Sequence, residues 1–187
     1  MNFKDYLTHF EQILSAEKQV APYDDPAFLN YAKLNWSRMN RWLKKGVISD
    51  DSKAVVQSIH APQKWILIVE PWCGDAAHIV PIIELLAQQN QNISLDIQLR
   101  DTEPFLIHSY LTNGAKAIPI LIIRDQLNED LVVWGPRPKG CAAVQESLKA
   151  KNIPLEELKV ALQNWYNADA GKEIQQEIVA KLLQISK

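Results

Sequence analysis

"EPWCGDAAHIVP", Glu70 to Pro81, sets a cysteine directly behind an apolar run and at the mouth of a helix. The run before it, "KWILIVEP" from Lys64, is continuous and apolar, as suits a strand buried on both faces. The segment after it, from Asp75 to about Gln89, carries Ile79, Ile82, Ile83 and Leu86 at helical spacing. A thiol between a strand and a helix N-terminus meets free backbone N–H groups and the positive end of the helix dipole. Such thiols have pKa values of roughly 3.5–7.5 instead of about 8.5, so Cys73 is expected to be a reactive thiolate. The competing reading is a small buried hydrophobe.

Outward from this point the chain alternates. "SLDIQLRD" reads as a strand, "EPFLIHSYLTNG" as a helix ending at Asn113-Gly114, and "AIPILIIRD" as a second buried strand. A turn at Asn128–Asp130 then leads into "LVVWG", which predicts a hairpin. Helical patterns follow "GPRPKG" to about Ala150, run on beyond Pro154, and end with Ile174, Ile178, Leu182 and Ile185. The first sixty residues predict three helices, capped by Asn2, by Asp25 before Pro26, and by Ser49. The fold class is α/β: a β-α-β crossover and a hairpin give a mixed central sheet with helices on both faces. The expected organisation is a helical extension over residues 1–62, packed on a core domain over 63–187 with added C-terminal helices.

That order, with Trp72-Cys73-Gly74 at the end of its first strand, resembles the thioredoxin fold. Pro81 falls where thioredoxins have a helix-kinking proline, eight residues after the first cysteine. Ile118-Pro119 resembles the family's cis-proline, and Gly135 its glycine after the last strand. The resemblance covers roughly Lys64 to Lys151, and "EPWCGDA", "AIP" and "WGPRP" are together similar to a bacterial group of thioredoxin-like proteins. It implies a groove in which Ile118 and Pro119 pair with an extended peptide or a glutathione backbone. Trp72 and Trp134 are candidate walls of that groove, and Arg137 a candidate cation for the thiolate or for a bound carboxylate. The departures are equally specific. The second cysteine of a dithiol enzyme is Ala76, the proline between the cysteines is Asp75, and the buried acid six residues before the first cysteine is Leu67. A disulfide cycle between positions 73 and 76 is excluded.

The resemblance therefore implies a monothiol thiol–disulfide oxidoreductase acting through a mixed disulfide at Cys73. The rival is a non-catalytic binding module that keeps the groove and docks a partner, with Trp36, Trp42 and Trp165 as contact candidates. Expected partners are a protein or a low-molecular-weight thiol or disulfide; no cofactor is required beyond glutathione or a similar co-substrate. Asp75 opposes a second negative charge at Cys73 and suits the first helical turn. Cys141, at the start of a later helix, reads as structural, and His78 as a helix-surface residue. The histidines lack metal-ligand spacing. A net charge of −2, from 20 Lys and Arg against 22 Asp and Glu, offers no footprint for nucleic acid or an anionic membrane. Two cysteines make no disulfide framework, and "MNFKDYLTHFEQ" has no apolar core of a signal peptide, so a cytoplasmic setting is expected.

Overall fold

The computed structural model describes residues 1–185. Its centre is a four-stranded mixed sheet in the order β2-β1-β3-β4, with β1 Gln63–Val69, β2 Ile93–Leu99, β3 Ile120–Arg124 and β4 Asp130–Trp134. β1 and β2 run parallel, with Gln63 opposite Ile93 and Val69 opposite Leu99. β3 is antiparallel to both β1 and β4, and its pairing with β4 slips by a bulge at Ile123/Arg124. Every residue from Trp65 to Val69 and from Ile120 to Ile123 is buried. Successive side chains of a strand point to opposite faces, so both faces of β1 and β3 are covered. Each of these aliphatic residues contributes about 1.5–3 kcal/mol by leaving water.

Seven helices do the covering. They are α1 Phe3–Ser15, α2 Pro26–Lys45, α3 Asp50–Gln57, α4 Ala76–Ala87, α5 Lys139–Ala150, α6 Leu155–Asp169 and α7 Lys172–Ile185. The first three start as their cap residues dictate. Asn2 accepts from the Asp5 N–H, Asp25 from the Ala27 N–H and Ser49 from the Ser52 N–H. α5 starts at Pro138 with no capping side chain of its own. Its free N–H groups are met from α7 instead: Lys139 donates to Glu177 and Gly140 to Glu173. None of the described helices is long and apolar enough to cross a membrane.

Two local expectations fail. The segment 103–114 is not a full helix but a single 3-10 turn, Leu106–Ser109, flanked by Pro104 and by Phe105 in the left-handed region. Leu106, Ile107, Tyr110 and Leu111 have helical spacing, but the left-handed Phe105 interrupts the chain before the turn and Thr112 pairs with Ala115 after it, which leaves room for one turn only. α4, for its part, is not one-sided. Ala76 to Ile83 are all buried, because α2 and α7 pack over the side that sequence spacing assigned to solvent.

Candidate functional site

β1 ends at Val69, and Cys73 follows in a short turn held by its own N–H donating to the Glu70 carbonyl (3.0 Å). Asp75 and Ala76 then open α4, and their backbone N–H groups face the Cys73 sulfur and favour its anion. The sulfur also sits 3.5 Å from the Ile118 carbonyl oxygen, just before Pro119, whose peptide bond is cis. This side of the turn opens into a surface groove of about 300 Å³ bordered by Trp72, Cys73, Arg100, Lys116 and Ile118, and reached also by Asp75 and Arg137. Trp72 is half-buried there, with the Arg100 guanidinium 4.6 Å from its ring centre and Phe28 edge-on at 5.8 Å.

The electrostatics reverse the expectation for the thiol. Cys73 is only 7% exposed. Burial first, and then the Asp75 carboxylate, push its pKa from 9.0 up to about 12, outweighing the two backbone N–H groups and Arg137. The helix dipole is present, but removal of the sulfur from water and a nearby negative charge win. In the resting protein Cys73 is a thiol.

Asp75 explains why Arg137 gives so little help. Its carboxylate makes no capping bond to α4. It turns instead toward Arg137, whose Nη2 lies 2.5 Å from Oδ2 and whose Nε donates to Oδ1 (3.0 Å), a bidentate pair. Tyr166 on α6 donates its hydroxyl to the same Oδ1 (2.8 Å), and the remaining Arg137 Nη1 donates to Gln145 on α5 (3.1 Å). Burial lowers the Arg137 pKa, but Asp75 more than offsets this and the net shift is upward. The loop that carries Arg137 is clasped against the Cys73 side by Gly135. A Cβ there would stand 2.3 Å from the Pro119 carbonyl, and φ is +126°, so only glycine lets the two segments meet.

The remaining residues singled out in the sequence fall in two groups. Gly74 links the groove to the Asp75 cluster. Trp134 does not reach the groove: it is buried at the end of β4 and donates its Nε1–H to Glu177 on α7 (2.6 Å). Cys141 is fully buried, and burial and Asp75 push its thiol up to about 12 as well. Neither cysteine is in a disulfide. Trp42 is buried in the core, whereas Trp36 and Trp165 are half-buried. Among the described residues no group of three or more His, Cys, Asp or Glu is placed to hold a metal ion.

Several residues at the site carry no local motif. His78, read as a surface residue, is buried under α2 and α6, because the chain around it is apolar on every side. Its Nδ1 accepts from Trp42 Nε1 (2.8 Å), its Nε2–H is matched to Gln163 Oε1 (3.0 Å), and its ring stacks on Tyr166 at 4.4 Å. Burial drives its pKa down to about 3, so it is neutral. Glu70 is a second buried acid. It accepts from the Asp101 N–H (2.9 Å), and burial raises its pKa from 4.5 to about 6.

A thioredoxin family model matches residues 23–149, more than half of the chain and the whole of this site except α6. The chain belongs to the thioredoxin family. The match begins at residue 23, so it takes in α2 and α3 as well as the sheet. A crystal structure of a protein of unknown function from Pseudomonas aeruginosa is similar over 98% of both chains, with a TM-score of 0.55 and 14% identity. A crystal structure of an HIV epitope-scaffold is similar over 98% of this chain and 90% of its own, with a TM-score of 0.55 and 15% identity. At these identities the likeness concerns the fold. No curated protein matches.

Proposed function

We propose that this thioredoxin-family protein is a binding module. The groove between Trp72–Cys73 and Lys116–Ile118 takes an extended segment of a protein partner, with Cys73 as a protonated thiol in its floor. The observation that supports this is the burial of the Cys73 sulfur beside the Asp75 carboxylate, which together push the thiol up to about 12 and keep it protonated at neutral pH. The greater intrinsic nucleophilicity of a high-pKa thiol returns only part of what is lost in thiolate fraction. The attack rate is left well below that of a free cysteine. Ile118 and Pro119 supply one wall for such a segment, Gly74 leaves the mouth open, and Lys116 favours acidic side chains on it, Arg100 being already paired with Asp101.

The second reading is monothiol thiol–disulfide exchange, in which Cys73 forms a mixed disulfide with a protein or with a low-molecular-weight thiol such as glutathione. It is favoured by one observation: the sulfur borders the open groove beside Ile118 and is not sealed in the core. Incubation with oxidised glutathione at neutral pH, followed by peptide mass spectrometry, separates the two. The module reading expects Cys73 to stay unmodified on a timescale in which a free cysteine peptide reacts to completion. A stoichiometric glutathione adduct on Cys73 in that time would replace it with the exchange reading.

A further inference from the structure

A second cavity of about 250 Å³ lies between α2, the start of α4, and α5–α6. It shares Gly74, Asp75 and Arg137 with the groove, and its other walls are its own: Tyr31 and Arg38 come from α2, Leu155, Leu158, Lys159 and Leu162 from α6. One wall is apolar and the other is basic, which is the form of a site for an amphiphilic anion.

The charges decide how many negative charges it takes. Arg137 is neutralised by Asp75, and Lys159 pairs with Glu156 (2.7 Å) while lying over the Tyr31 ring. Arg38 is different. It is half-buried, donates one hydrogen bond, to Asn35 Oδ1 (3.1 Å), and forms no ion pair among the described residues. Asn35 is itself fixed by donating to the Pro71 carbonyl (3.0 Å), so the guanidinium is held in place at the base of the Cys73 turn. A guanidinium has five N–H donors in a planar fork that matches a carboxylate. Burial lowers the Arg38 pKa, a cost that a bound anion would reverse. His78, which also lines the cavity, is neutral and held by Trp42 and Gln163. The site thus carries one uncompensated positive charge facing leucine side chains.

We propose that this cavity binds a small organic monocarboxylate, its carboxylate on Arg38 and its apolar body against Leu155, Leu158 and Leu162. A volume just under the range of about 300–1,000 Å³ for drug-sized ligands restricts it to small acids. A monoanion matches the single free charge, whereas a phosphate dianion would have to lie against leucines.

The test is a titration of the full-length protein with hexanoate, hexanamide and inorganic phosphate, followed by calorimetry and by NMR of the leucine methyl groups. Hexanoate is expected to bind saturably and to shift the Leu158 and Leu162 methyls. Hexanamide and phosphate are expected to bind about tenfold or more weakly, the loss of one charge-assisted interaction or of the apolar contact. Arg38→Met, which keeps the aliphatic stem, is expected to lose hexanoate binding to the same extent. Equal affinity for hexanamide, tighter binding of phosphate, undiminished binding in a folded Arg38→Met variant, or no saturable binding of hexanoate would each overturn the assignment. The comparison of acid with amide uses the unaltered protein and stands even if the variant does not fold. None of these readouts involves thiol chemistry, so their outcome is independent of what Cys73 does.

Discussion

The two sides of the Cys73 turn differ more than the single residue between Cys73 and Asp75 suggests. On one side, Trp72, Cys73 and Ile118 border an open groove that Arg100 and Lys116 also line. On the other, Asp75, Arg137, Tyr166 and His78 form a buried polar cluster assembled from α4, the loop after β4, and α6. The groove is the part in which a dithiol enzyme works. The cluster occupies the space behind it, and its carboxylate acts on the thiol through the field alone. A helix N-terminus therefore does not by itself make a reactive cysteine; the charge two residues further on and the depth of burial decide the outcome.

The contrast can be broken at the cluster. Arg137→Ala leaves the Asp75 carboxylate buried with Tyr166 alone, and a loss of about 3–5 kcal/mol is expected in urea denaturation at neutral pH. A loss under about 1 kcal/mol, the size of an exposed ion pair, would show that the cluster is a surface feature.

Acid sharpens it next. His78 is neutral in the folded protein down to about pH 3, whereas the unfolded chain protonates it near 6.5. Its contribution is complete above 6.5 and drains as pH falls toward 3, reaching about 2 kcal/mol lost by pH 5. Equilibrium unfolding at stepped pH should show that slope, and His78→Gln, which can still accept from Trp42, should flatten it. Glu70 works in the opposite sense and more weakly. Its folded pKa is raised to about 6 from 4.5, so stability present below 4.5 is lost as pH rises through 6. Glu70→Gln, which keeps an acceptor for the Asp101 N–H, should gain about 1–2 kcal/mol at pH 7 and little at pH 4.

The smallest effect is expected far from both regions. Trp134→Phe removes the bond to Glu177 but leaves Glu177 capping Lys139, costing about 1 kcal/mol. The rate of Cys73 alkylation should not change. A change would connect β4 to the groove after all.

Much of this architecture was legible because it rests on local signals. The continuous apolar runs of β1 and β3, the caps Asn2, Asp25 and Ser49, and the spacing of Cys73, Pro81, Pro119 and Gly135 each declare their structural role in a few residues. The cluster was not legible in the same way. Arg137 and Asp75 are 62 positions apart and Tyr166 and Asp75 are 91 apart, and only the loop after β4 and the docking of α6 bring them together. Tyr166 carried no signal in sequence. His78 did carry one: a lone polar residue within Ala76–Ile83, where every neighbour is apolar, is better placed in a covered helix than on a surface. The pKa of Cys73 is not legible in the sequence for a related reason. The dipole is written in the strand–turn–helix order, but the desolvation depends on Ile118 and on helices distant in the chain.

The most direct test is the pH dependence of Cys73 alkylation by iodoacetamide, read at that residue by peptide mass spectrometry and repeated in Asp75→Asn. The rate should still be rising at about pH 10, where a free cysteine, with its midpoint near 8.5, has levelled off, and the Asp75→Asn midpoint should lie lower. A plateau reached by about pH 7, unmoved by Asp75→Asn, would mean that the helix terminus prevails and that the protein carries a standing thiolate.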